Sequence, residues 1–252
     1  MKSLLFLTTL AAIVSPVSAQ ESDGKALAAQ LAGLQQDGSS YARVKMDGKT
    51  ADGVKFALQL QIKQRRTANS TEVVYQVLWP KERAGEAVLL KQSGGEMSGT
   101  VFTPPDKVRT LTAGQMKESL LGTSLSYADV LENFFTWSSQ KIVGTEVVNK
   151  VSCQVLESRS GSAAVRSWID TKRVVPMRVE KYLPSGAVLR KIDTKSVAND
   201  DANRNIPANL TIQDVKNGSS TDLEGSKLKH GVTYENGDFT VEGLKNISPP
   251  GK

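Results

Sequence analysis

Phe56-Ala57-Leu58-Gln59-Leu60-Gln61-Ile62-Lys63 alternates strictly between apolar and polar residues. A strand sends successive side chains to opposite faces, so Phe56, Leu58, Leu60 and Ile62 share one face. That is the pattern of a half-buried antiparallel strand. Val73, Tyr75, Val77 and Trp79 repeat it in the next segment. Further short strands are expected at Ala87 to Lys91, Lys107 to Leu111, Val151 to Ser158, Ala164 to Asp170, Pro176 to Tyr182 and Val188 to Lys195. Two more are expected at Leu210 to Val215 and Phe239 to Leu244. Breakers separate them, among them Ser93-Gly94-Gly95, Ser160-Gly161-Ser162 and Leu183-Pro184-Ser185-Gly186, the last suited to a tight hairpin. Many short strands with such turns indicate a sandwich or barrel rather than βαβ units.

Two segments change period. Residues 24–36 place Leu27, Leu31 and Leu34 at helical spacing. Ser126-Tyr127-Ala128-Asp129 offers an N-cap with an acidic residue three positions on, followed by Val130, Leu131, Phe134 and Phe135 as an apolar stripe. A second amphipathic helix is therefore expected there. Residues 199–205 are polar, and Asp201, Asn203 and Asn205 imitate the start of a calcium loop. Ile206 and Ile212 then stand where the turn glycine and bidentate glutamate belong, so a polar turn is expected.

The N-terminus reads as an export signal. Met1-Lys2 gives a positive start, Leu4 to Val14 an uncharged, mostly apolar run, and Val17-Ser18-Ala19 small residues before a cut ahead of Gln20. The apolar run is shorter than the roughly 20 residues that span a bilayer. The expectation is a leader over 1–19 and a single domain over 20–252, working in the periplasm. No cysteine follows the cut, which argues against a lipid anchor. Cys153, the only cysteine, sits in an apolar alternating run and reads as a small buried strand residue.

The chain has 32 Lys and Arg against 26 Asp and Glu, a net charge of +6. Loss of Lys2 would lower this to +5. The charges are scattered rather than clustered, and export removes nucleic acid as a partner.

Material for catalysis is scarce. His230 is the only histidine, between Lys229 and Gly231, and reads as a surface residue. That excludes zinc sites built on several imidazoles. No Gly-x-Ser-x-Gly elbow, phosphate-cradling loop or dinucleotide fingerprint occurs. The reading is a non-enzyme with no metal and no cofactor.

Leu120-Leu121-Gly122-Thr123-Ser124-Leu125-Ser126-Tyr127-Ala128-Asp129-Val130 resembles the Gly-Ser/Thr-x-Phe/Leu-Ser-Tyr-x-Asp-Leu signature of bacterial outer-membrane lipoprotein-sorting proteins, the LolA-like superfamily. Trp79-Pro80 lies upstream of it. Downstream, Trp168-Ile169-Asp170, Val175-Pro176-Met177, Tyr182 and Gly186-Ala187-Val188-Leu189 follow the family's order of Trp-x-Asp, Pro, Tyr and Gly-x-x-Leu. The likeness covers roughly residues 55–245. Residues 99–109 keep Pro and basic residues but lack the tryptophan that many relatives carry there.

The resemblance implies an α+β, mainly β fold: an incomplete, open antiparallel β-barrel with a helical lid. It also implies a monomeric carrier that takes acyl chains of lipoproteins or lipids toward the outer membrane, between an inner-membrane transporter and an outer-membrane acceptor. The alternation nominates Phe56, Leu58, Leu60, Ile62, Tyr75, Val77 and Trp79 as the cavity wall, although either face of the strands could line it. Leu125, Tyr127, Leu131, Phe134 and Phe135 are the expected lid. The rival is a non-catalytic sensor or regulatory module with a filled barrel.

Overall fold

The structure, a computed structural model, describes residues 16–34, 38–67, 69–225 and 228–249. Residues 1–15 of the expected leader lie outside the described residues. Val17-Ser18-Ala19 falls in the first turn of helix α1 (Pro16–Leu34). Fourteen strands follow: β1 (Ser39–Lys49), β2 (Lys55–Arg66), β3 (Ser70–Trp79), β4 (Ala87–Ser93), β5 (Glu96–Thr103), β6 (Lys107–Thr110) and β7 (Ser139–Val148). Then come β8 (Val151–Ser160), β9 (Ala163–Asp170), β10 (Val175–Tyr182), β11 (Val188–Asn199), β12 (Asn205–Asp214), β13 (Ser219–Gly225) and β14 (Lys229–His230).

All of them belong to one antiparallel sheet, ordered β6-β5-β4-β3-β2-β1-β13-β12-β11-β10-β9-β8-β7, with β14 added beside β1. β6 and β7 are its two edges, and the sheet does not close. This is the open, mainly β architecture the sequence implies. The central pairing β13 with β1 joins two antiparallel runs, β1–β6 and β7–β13.

Register carries the alternating pattern across the sheet. Leu60 stands opposite Val44 on one side and Val77 on the other, and Leu58 stands opposite Met46. These side chains form one face, with Val73, Val88 and Leu90 beside them. Segment 111–137 lies over this face, hereafter the lid face.

The opposite face is covered differently in its two halves. Over β2–β5, segment 231–249 crosses as a strap, seating Phe239 and Leu244 on Val74, Ala87, Leu89 and Phe102. Over β7–β10 the side chains of Val148, Cys153, Val155, Trp168, Val175 and Met177 pack on one another, so Cys153 is the buried strand residue expected.

The strap corrects the expected strand at Phe239 to Leu244: 3-10 turns at Asn236–Phe239 and Gly243–Lys245 occupy that stretch. Its carbonyls are answered by side chains instead of a strand partner. Gln61 Nε2 donates to the Ile247 carbonyl at 2.8 Å and Gln76 Nε2 to the Leu244 carbonyl at 2.8 Å. Gln61 also donates to Gln76 Oε1 at 2.7 Å, and Lys63, with 2% of its side chain exposed, meets Asp238 at 3.1 Å. Buried polar groups must find partners, and these find them in the strap.

Helix α1 starts eight residues earlier than residue 24. Leu27, Ala28, Leu31 and Ala32 pack on Phe135, Leu156 and Ile169. Gly24 permits the approach: a Cβ there would lie 2.7 Å from the Gln140 carbonyl oxygen of β7. No described helix is long and apolar enough to cross a membrane.

Candidate functional site: the lid face and its plug

Phe56, Leu58, Leu60, Ile62, Tyr75 and Val77 lie together on the lid face. Trp79 does not follow them. A register shift between Gln59 and Leu60 sets Trp79 opposite Gln59, and it is 49% exposed at the end of β3. Burial pushes the Tyr75 hydroxyl up to about 12, against the pull of the Arg66 charge.

The space above this face is occupied. Leu111, Met116, Leu120, Leu121, Tyr127 and Leu131 are buried against the β1–β4 residues in one cluster, with Leu125 partly buried beside them. Fully burying a side chain of this size stabilises by about 1.5–3 kcal/mol, so the plug is a substantial part of the core.

The lid is not a helix, which corrects the expectation for residues 126–135. The capping arrangement itself forms. Asp129 Oδ2 accepts from the Ser126 amide at 2.9 Å and hydroxyl at 2.7 Å, and Ser126 Oγ accepts from the Asp129 amide at 3.1 Å. One turn follows, with Leu131 and Glu132 both donating to the Ala128 carbonyl. At Asn133 the chain leaves helical geometry (φ −107°, ψ 80°), and only a 3-10 turn, Phe134–Thr136, remains. Asn-Phe-Phe-Thr-Trp is a run of weak helix formers, and the departure has a packing result. Leu131 goes to the β1–β4 cluster, whereas Phe135 and Phe134 go to α1. A continuous helix would have kept them on one stripe.

Side-chain bonds fix the plug to the sheet. The Ser124 amide donates to Thr221 Oγ1 at 2.9 Å, and the Ser124 and Ser219 hydroxyls are 3.1 Å apart. Beyond this seam the lid face changes character. Arg190 and Lys181 project from β11 and β10 toward the lid. Asp129 lies 3.0 Å from Arg190 Nε and 3.1 Å from Lys181 Nζ; Glu132 is 2.6 Å from Lys181, and Asp214 is 3.3 Å from Arg190. The Arg190 Nε–Asp129 contact is an ion pair out of hydrogen-bond alignment.

Burial alone would raise the Asp129 carboxyl, but Arg190, Lys181 and the Ser126 bonds outweigh it and hold the group below its ordinary range. Burial would likewise lower Lys181, and Asp129 with Glu132 outweigh it and raise it. Both groups are held charged. Between this cluster and Phe134, Val165, Val179 and Ile192 a cavity of about 40 Å³ remains. That admits a few waters at most and no acyl chain.

Sequence reasoning missed Lys181 and Arg190. The available signal was parity, since Arg190 shares a strand face with Ile192.

His230 is not the isolated surface residue expected. Its Nδ1 is 2.6 Å from Asp201 Oδ1, and its Nε2 is 2.8 Å from Arg204 Nη2. Asp200, Asp201 and His230 could converge on a cation. Their atoms are committed, however: Asp200 Oδ1 accepts from the Ala202 and Arg204 amides, and Asp200 Oδ2 lies 2.9 Å from Arg204 Nε. The group fastens the β11–β12 turn to β14. No serine, threonine or cysteine is bonded to His230 among the described residues.

An open antiparallel sheet whose apolar face is covered by a plug defines a LolA-like fold. A DUF1329 family protein from Desulfovibrio piger shares it at TM-score 0.80 and 16% identity, over 89% of this chain and 99% of that one. An outer membrane lipoprotein-sorting protein domain from Vibrio parahaemolyticus matches at TM-score 0.78 and 19% identity, over 90% and 100%. The LolA superfamily protein NE2245 from Nitrosomonas europaea matches at 0.65 and 18%, over 90% and 98%. At such identities the likeness concerns the fold. The chain belongs to a family described as uncharacterized proteins, whose pattern matches residues 69–246. No curated protein matches it.

Proposed function

We propose that this chain is an exported, non-catalytic carrier that shields the acyl chains of a lipid or lipoprotein on its lid face. One observation carries the reading: a large apolar sheet face is covered by an irregular segment rather than by a second sheet or a helical layer. Each buried CH₂ contributes about 0.8 kcal/mol, so an acyl chain could take over contacts that the plug now makes. In this reading Phe56, Leu58, Leu60, Ile62, Tyr75 and Val77 form the wall. Leu125, Tyr127 and Leu131 give way to the ligand, while Phe134 and Phe135 anchor the far end of the lid under α1. Residues 1–19 act as the leader that brings the chain to the periplasm, where the cargo passes from an inner-membrane donor to an outer-membrane acceptor.

The filled apolar half favours a second reading, a regulatory module that works by protein contact, because lid side chains are buried against the wall and the cavity beside the charged cluster is only about 40 Å³. Native mass spectrometry of the purified protein, with titration of a fluorescent fatty acid, separates the two. Co-purified lipid, or uptake competed by unlabelled fatty acid, is expected for the carrier. A ligand-free mass together with no uptake would leave only the module.

A further inference from the structure

The hairpins of the sheet alternate between its two ends, and the two ends differ. One end carries the turns β1–β2, β3–β4, β5–β6 and β12–β13, all on neighbouring strands of the sheet. Five of the nine exposed large apolar side chains stand on or beside these turns: Val54, Trp79, Val108, Val215 and Ile247. Register places neighbouring tips side by side. Lys49 pairs with Lys55 across the β1–β2 hairpin and with Ser220, next to the β12–β13 turn. A Cβ at Gly85 would lie 3.0 Å from Pro104 and 3.9 Å from Ile247, so the β3–β4 turn abuts both the β5–β6 turn and the strap. At the opposite end Val147 is exposed at the β7–β8 turn, and the β11–β12 turn there, residues 200–204, is polar.

Lysines are interleaved with the apolar tips. Lys49, Lys55, Lys81, Lys107 and Lys216 are exposed there and make no ion pair among the described residues. Three exposed carboxylates, Asp52, Glu82 and Asp106, partly offset them. We infer that this rim docks on the surface of a bilayer containing anionic phospholipid, with Trp79 and the valines entering the headgroup layer and the lysines meeting phosphate. Tryptophan is suited to that boundary, lysine stems lie along apolar matter with the ammonium in the polar layer, and each basic residue near an anionic surface adds attraction.

The arrangement selects a liquid surface over a protein. The apolar residues are spread over separate hairpins with charges between them, whereas a stable protein interface has a charge-poor, close-packed centre. Strand addition would use the edges β6 or β7, not the hairpin tips. The inference is independent of the cargo, since it concerns the outside of the rim.

Co-sedimentation of the chain from Gln20 onward with vesicles tests it, using phosphatidylcholine alone and phosphatidylcholine with phosphatidylglycerol. Binding to the anionic vesicles is expected, weakened by salt and weakened at least about thirtyfold by Lys81→Glu with Lys107→Glu. Trp79→Phe should abolish most of any blue shift in tryptophan emission on binding. Val147→Ser with Lys150→Glu, at the far end, should change nothing. Absence of binding to anionic vesicles overturns the inference, as does equal loss from the far-end pair or binding unaffected by the Lys81 and Lys107 changes. Circular dichroism of each variant shows whether the fold is retained, and Trp79→Phe keeps a second readout if the lysine pair is unstable.

Discussion

The two halves of the lid face are built on the same strand geometry and filled on different principles. From β1 to β4 the face is apolar throughout, and the lid meets it with leucine, methionine and tyrosine. From β10 to β12 the corresponding positions include Lys181, Arg190 and Asp214, and the lid meets them with Asp129 and Glu132. Apolar contact is non-directional, so the first half can exchange one apolar occupant for another. Ion pairs at low exposure are directional and costly to break singly. The second half therefore fixes where the lid sits, and in the proposed carrier the first half is the area that a ligand would share.

The sharpest way to break this contrast is Asp129→Ala. Removing the carboxylate leaves Arg190 without its nearest partner and Lys181 with Glu132 alone, and ends the Ser126 capping bonds. Loss of one member of a buried pair costs about 3–5 kcal/mol. Urea denaturation should show a fall toward the lower end of that range, because Lys181 keeps some solvent. A change below 1 kcal/mol would mean that the charged half does not position the lid.

Next in size is Leu60→Ala, with Ile192→Ala as its counterpart in the second half. Leu60 is 0% exposed and touches both sheet and plug, so truncation should cost about 2–4 kcal/mol. Ile192 is half-buried beside the small cavity and should cost roughly half as much, since the cavity wall can relax. Equal losses in urea melts would erase the distinction between the halves.

A third test uses acid and base. The folded pKa of Asp129 is depressed, because Arg190 and Lys181 overcome its burial. Its contribution to stability is complete above its unfolded value of about 4 and is lost as pH falls through the lower folded value. Lys181 is raised; its contribution is complete below about pH 10 and is lost as pH rises through the folded value. Melting temperature should thus be flat through neutrality and fall at both extremes, and Asp129→Asn should flatten the acid limb. An unchanged acid limb in that variant would place the titration elsewhere.

The two halves were unequally legible in the sequence. Strict alternation at Phe56 to Ile62 exposed the apolar half, because burial on one face only leaves a period-two trace. In the second half the lid face mixes Ile192 with Arg190 and Val179 with Lys181, so no period separates it from a solvated strand. The lid itself misled for a physical reason. Ser126 and Asp129 make their capping bonds, yet Asn133 turns the chain because Leu131 and Phe135 are drawn to different clusters. The strap was missed because Gln61, Gln76 and Lys63 read as the wet side of a strand, when they are partners for a segment some 170 residues away.

The smallest expected effect lies at the seam between the halves. Ser124 bonds to Thr221 and Ser219 of β13 where the lid passes from apolar to charged surface. Ser124→Ala keeps the amide bond to Thr221 and removes only the hydroxyl. The hydroxyl makes two bonds, donating to Ser219 and accepting from Thr221; each neutral bond is worth about 1 kcal/mol net at most, and the two hydroxyls of β13 can still reorient toward each other or water. The loss of global stability should be about 1 kcal/mol or less. The more telling readout is amide hydrogen exchange of the lid. If the seam transmits the fixed position of Asp129 to the plug, exchange should quicken at Leu120 and Leu125 while Leu131, beyond Asp129, keeps its protection. Uniform quickening across 120–131 would show that the plug opens as one piece, and the division between a positioned half and an exchangeable half would fail.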